Sequence, residues 1–157
     1  MKKILLTTAL TALFLTQIPA LAAISEPDQK KLSDAFTLFK RGAYSQAITE
    51  AQGVRSKDPL TQGNGGFCIA TAQAKMQNFD KALTFYKSAL ALDHKAESLH
   101  YDYGQALFAT QKLKDAQEQF KKSIVKNFKV GASAYYIGFI SQILEDEKTA
   151  KDFYSRL

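Results

Sequence analysis

The sequence predicts an all-α solenoid of helix-turn-helix repeats, three full units and a shortened fourth. Three observations carry this. From Asn78 to Asp93, the residues Phe79, Ala82, Leu83, Tyr86, Ala89 and Leu90 recur at three- and four-residue spacing, with Asp80, Lys81 and Lys87 on the other side, as in an amphipathic helix. The pattern returns at a fixed interval: Ala47, Ala82, Ala116 and Ala150 stand 35, 34 and 34 residues apart, a period that announces a helical solenoid. Other columns travel with these alanines. Four residues on come Ala51, Tyr86, Phe120 and Tyr154; seven on come Val54, Ala89, Ser123 and Leu157; three before come Tyr44, Phe79, Leu113 and Glu147. Twelve residues before each alanine, Ala35, Ala70, Gly104 or Gly138 supplies a small side chain that lets two antiparallel helices approach closely.

Taken together the columns resemble the tetratricopeptide repeat, a helix-turn-helix unit of about 34 residues. Repeats are expected at about 28–61, 63–96, 97–130 and 131–157, so the resemblance covers nearly all of the chain after its first residues. The chain also departs from the family pattern. Lys31, Gly66, His100 and Ala134 replace the large aromatic that usually opens the repeat. The closing proline survives only as Pro59, with His94 and Phe128 at the recurring places, and Asp34 sits at a usually apolar position of the first unit.

Residues 1–22 stand apart from the repeats. Lys2 and Lys3 precede a mostly apolar run from Ile4 to Ile18, Pro19 breaks it, and Ala20-Leu21-Ala22 fits a signal-peptidase site. Export with cleavage is expected, giving a mature start at Ala23 and a periplasmic or secreted protein; an uncleaved anchor is the alternative. Removing two lysines and no acids leaves 19 basic against 15 acidic residues, a surplus of +4. Such a surplus suits weak contact with anionic envelope components and ordinary solubility alike. The six lysines at 112, 114, 121, 122, 126 and 129 read first as a solvated face. No aromatic-interleaved basic stripe of the nucleic-acid kind is present.

The remaining chain, residues 23–157, makes one domain. A single cysteine, Cys68, excludes an internal disulfide and reads as buried packing between Phe67 and Ile69. Ser25 is expected to cap the first helix, near Pro27–Lys40, with Asp28 completing an approximate capping box. Its partner is expected near Tyr44–Lys57, stopped by Asp58-Pro59. Three glycines in the segment from Thr61 to Gly66 suggest that the second repeat starts late, near Gly66, behind a flexible joint. Further helix pairs are expected at 66–76 with 79–92, 97–110 with 113–126, and 132–144 with 147–157, the last helix serving as a polar cap.

No catalytic, cofactor or metal pattern emerges. His94 and His100 lack ligand-spaced partners, the acids from Glu145 to Glu147 read as helix-end charges, and no serine lies in a nucleophile elbow. Recognition remains. The family resemblance implies a right-handed superhelix whose inner wall is built by the first helix of each pair. On that analogy the inward stripe carries Leu32, Phe36 and Phe39, then Phe67, then Tyr101 and Phe108, then Tyr135 and Phe139, with Lys40, Lys75 and Asp102 beside them. Thr71 and Gln105 stand where the family's carboxylate-clamping binders carry asparagine, so that activity is not expected. The sequence thus points to a non-enzymatic adaptor of a bacterial cell envelope that binds a protein or peptide in an aromatic groove. A small secretion or folding chaperone, resembling the translocator chaperones of type III secretion, is the alternative. Self-assembly through the end hairpins is a third reading.

Overall fold

The computed structural model describes residues 25–155. The expected signal segment, the mature start at Ala23 and the column residue Leu157 lie outside the described residues. Eight helices follow in order: α1 Glu26–Lys40, α2 Tyr44–Gln52, α3 Pro59–Lys75, α4 Phe79–Ala91, α5 Leu99–Ala109, α6 Leu113–Val125, α7 Val130–Ile143 and α8 Glu147–Tyr154. Each odd-numbered helix packs on the even one that follows, each even one packs on the next odd one, and α1, α3 and α5 also touch in succession. This is the expected all-α stack of hairpins.

The turns repeat as faithfully as the helices. Gly42, Gln77, Gln111 and Glu145, spaced 35, 34 and 34 residues apart, all have positive φ between 58° and 78°. In each, two backbone bonds close the end of the first helix, such as Gln111 N–H to Phe108 O and Lys112 N–H to Leu107 O. This is the Schellman arrangement, and only the first unit fills its left-handed position with the residue that adopts it freely, Gly42.

Inside the hairpins the marker columns are buried. Ala47, Ala82, Ala116, Phe120 and Tyr86 are all at most 1% exposed. A Cβ added to Gly104 would lie 3.0 Å from the Phe120 ring, and one added to Gly138 would lie 2.8 Å from the Tyr154 ring. In these two hairpins the small residue of the first helix is therefore the seat for the aromatic of its partner. Two clusters result, one around Ala35, Ile48, Ile69 and Cys68, and a larger one from Ala70 to Ile140. Cys68 is fully buried, as expected, and burial pushes its thiol up to about 11.

Several local expectations are corrected. The segment from Thr61 to Gly66 is neither a joint nor a late start, and the repeat boundary expected near residue 61 falls inside α3. Asp58 caps that helix, accepting from Thr61 N–H at 2.8 Å, and Pro59 opens it. Thr61, Gly63 and Gly65 are buried, and this packing outweighs the helix cost of glycine, about 0.5–1 kcal/mol each. Helix α2 ends at Gln52 rather than Lys57 because the chain beyond is claimed by α1: Lys31 Nζ donates to Gly53 O at 2.7 Å, and Arg55 N–H donates to Asp28 Oδ1 at 2.9 Å. Ser25 makes no backbone cap; its hydroxyl donates to Asp28 Oδ2. Helix α8 leaves one face of α7 uncovered, with Tyr135, Phe139 and Ile143 exposed.

The packing separates two kinds of substitution. Ala116→Leu should cost about 1–3 kcal/mol by overpacking. Gly66→Ala, where an added Cβ meets nothing closer than 4.0 Å, should gain about 0.5–1 kcal/mol. Chemical denaturation of the two variants checks both signs, and a stabilising Ala116→Leu would contradict the packing.

Candidate functional site

The first helices of successive hairpins flank a groove with a cavity volume of about 650 Å³. Helix α1 contributes Phe36, Phe39 and Lys40, and α3 contributes Phe67, Thr71 and Lys75. From α5 come Asp102, Gln105 and Phe108, with Ser98 at its N-terminal edge, and from α7 comes Tyr136. Phe79 and Tyr86 of α4 line it as well. Chain periodicity explains the choice. Phe36, Thr71 and Gln105 occupy one repeat position and Phe39, Ala74 and Phe108 another, and all six line the groove.

Of the residues expected on this wall, Phe36, Phe39, Phe67 and Phe108 are there, with Lys40, Lys75 and Asp102 beside them. Four are placed elsewhere. Leu32 is buried in the α1–α3 contact, its Cδ2 3.7 Å from where a Cβ of Gly65 would stand. Tyr101 does not line the groove and packs edge-on against Phe120 of α6, Phe128 beyond it and Tyr136 of α7. Tyr135 and Phe139 stack on each other on the open face of α7, at 50% and 38% exposure, and Phe139 reaches the groove only through its 6.0 Å contact with Phe108. Tyr135 also meets the Tyr154 ring of α8 at 6.3 Å.

Sequence reasoning missed Tyr136, Phe79 and Tyr86. Tyr136 adjoins Tyr135, and a one-residue step turns a helical side chain by about 100°, so two adjacent tyrosines leave the facing one undecided. Phe79 and Tyr86 belong to a second helix. Tyr86 serves the core and the groove together: it is 1% exposed, yet it borders the cavity.

Asp102 is the half-buried charge of the groove. Burial raises the Asp102 carboxyl above its ordinary range, against the hydrogen bond from Ser98 and the charge of Lys75. The nearby Tyr86 hydroxyl is pushed up by burial and then by the Asp102 charge. Lys40 and Lys75, in contrast, are exposed. Behind the wall, His94 lies with its ring centroid 4.7 Å from that of Phe67, and neither of its buried nitrogens has a hydrogen-bond partner. Among the described residues, no group of His, Cys, Asp and Glu could hold a metal ion, and no helix is long and apolar enough to cross a membrane.

The family model of the tetratricopeptide repeat matches residues 73–129, from the end of α3 through α6. No curated protein matches the chain. Among solved structures, the chain is similar to MamA. The structure described as MamA 41-end from Desulfovibrio magneticus RS-1 has a TM-score of 0.70 at 18% identity, covering 82% of this chain and 72% of that one. An RS-1 MamA double mutant gives 0.71 at 18%, covering 82% and 71%. A further crystal structure of MamA gives 0.71 at 17%, covering 82% and 74%. At such identities the likeness is one of fold. The family match covers residues 73–129, and the likeness to the solved structures extends the same fold of stacked helical hairpins over 82% of the chain.

His94 makes folding depend on pH. Burial lowers its pKa from the ordinary 6.5, so its contribution to stability is complete above that value and is lost as pH falls through it toward the folded pKa. The protein should therefore unfold at lower denaturant at about pH 5.5 than at about pH 7.5, and His94→Phe should shrink that difference. An unchanged difference in the variant would remove His94 as its source.

Proposed function

We propose that this chain is an exported adaptor of a bacterial cell envelope that holds a segment of a partner protein in the aromatic groove between α1, α3, α5 and α7. The observation that carries this is the groove itself: aromatic side chains from α1, α3, α4, α5 and α7 border one open cleft. Partly exposed aromatics in a concave, mostly apolar site are the usual anchors of a bound chain. The groove runs across hairpin boundaries, as an extended ligand requires. The export part rests on the sequence of residues 1–22, with its paired lysines, apolar run and Ala20-Leu21-Ala22.

A second reading is favoured by a separate feature. The uncovered face of α7, with Tyr135, Phe139 and Ile143 exposed, suits self-association at the end of the solenoid. Light scattering on the wild type and a Phe139→Ser, Ile143→Ser variant separates a dimer through this face from a monomeric adaptor.

Groove binding is tested by capture from the native envelope, comparing wild type with Phe108→Ala. The variant should remain folded and lose about 2 kcal/mol of partner affinity, or roughly thirtyfold. Capture of the same partner at the same affinity by the folded variant would overturn the groove as the binding surface. Mass spectrometry of the exported pool should find Ala23 at the N-terminus; an intact Met1 there would overturn cleaved export.

A further inference from the structure

We infer that the groove recognises a basic side chain, the Lys or Arg of a bound segment, at Asp102. The inference rests on the groove-binding reading above and names the chemistry that the groove selects. Asp102 lines the cavity with Gln105 on its own helix, Ser98 just before that helix and Tyr86 of α4. Among the described residues it makes no ion pair, although Lys75 borders the same cavity. Lys75 acts on it through space without pairing, and the walls are aromatic.

A carboxylate in an aromatic cleft is a site for a cation. The ring faces attract positive charge, and an ammonium or guanidinium that reaches the carboxylate replaces the water that burial removes. Burial accordingly disfavours the charged carboxylate in the free protein, and an incoming cation relieves that.

The competing possibility is an acidic segment held by Lys40 and Lys75. The exposure of the two sides decides against it. Both lysines are exposed, with flexible stems and well-hydrated ammonium groups, where a charge pair gains little. Asp102 is the more enclosed charge, where a pair gains more.

The test uses the purified protein and four peptides, acetyl-Phe-Xaa-Phe-amide with arginine, lysine, norleucine or glutamate in the middle, titrated by calorimetry. The arginine and lysine peptides should bind about tenfold or more tighter than the norleucine peptide, and Asp102→Asn should bring that ratio to about two or less. Should the variant fold poorly by circular dichroism, the comparison among peptides on the wild type decides alone. Equal binding of the arginine and norleucine peptides would overturn the cation site and leave the groove standing. Preference for the glutamate peptide would transfer recognition to the lysines and overturn it as well. Failure of all four to bind would overturn both the site and the groove reading beneath it.

Discussion

Within the last two hairpins a glycine of the first helix lies directly under an aromatic ring of the second, and the rest of the structure is placed by that contact. Gly104 leaves room for Phe120 and Gly138 leaves room for Tyr154, with no space for even one methyl group between them. In the second hairpin Ala70 and Tyr86, at the same two positions, belong to one buried cluster. The first hairpin has Ala35 and Ala51 there, two small residues, and its core is correspondingly built from Ile48, Ile69 and Cys68 with α3. Close approach of the helices is what allows a two-helix unit of this length to bury a ring completely.

The groove inherits its geometry from these contacts. Seated against Gly104, the Phe120 ring stacks on Tyr136 with centroids 4.6 Å apart and planes within 3°. Tyr136 then borders the cavity and meets Phe108 at 5.4 Å. On the other side Tyr86 touches Phe67 at 6.2 Å, and Phe67 is backed in turn by His94. The groove wall is therefore the outer layer of the core, continuous with it ring by ring. A change in hairpin packing moves the wall, which places the proposed recognition and the stability on the same residues.

Hairpin number, pairing and turns were legible in the sequence because each is fixed by a column repeated four times. The turns at Gln77, Gln111 and Glu145 came from that period alone, since none holds glycine. Half of the expected wall was legible for the same reason: Phe36, Phe39, Phe67 and Phe108 occupy repeat positions that face the cleft. The rest depended on what each position meets in space. Leu32 and Tyr101 share a repeat position with Phe67 but pack into neighbouring elements, and Tyr135 shares it on the open face of α7, beside Phe139 and Tyr154. The glycines before Phe67 misled because local propensity favours a break, while Asp58 capping and the burial of Thr61, Gly63 and Gly65 favour a helix.

The contact between Gly104 and Phe120 can be isolated by a double-mutant cycle in chemical denaturation, using Gly104→Ala, Phe120→Leu and the pair. Alone, Gly104→Ala should destabilise by about 1–3 kcal/mol, since the clash with the ring exceeds the helix gain of roughly 1 kcal/mol. With the ring replaced by leucine, that cost should vanish or reverse, a coupling of about 1 kcal/mol or more. Additive effects, within about 0.5 kcal/mol, would contradict the account, because the ring and the glycine would then not be what sets the hairpin.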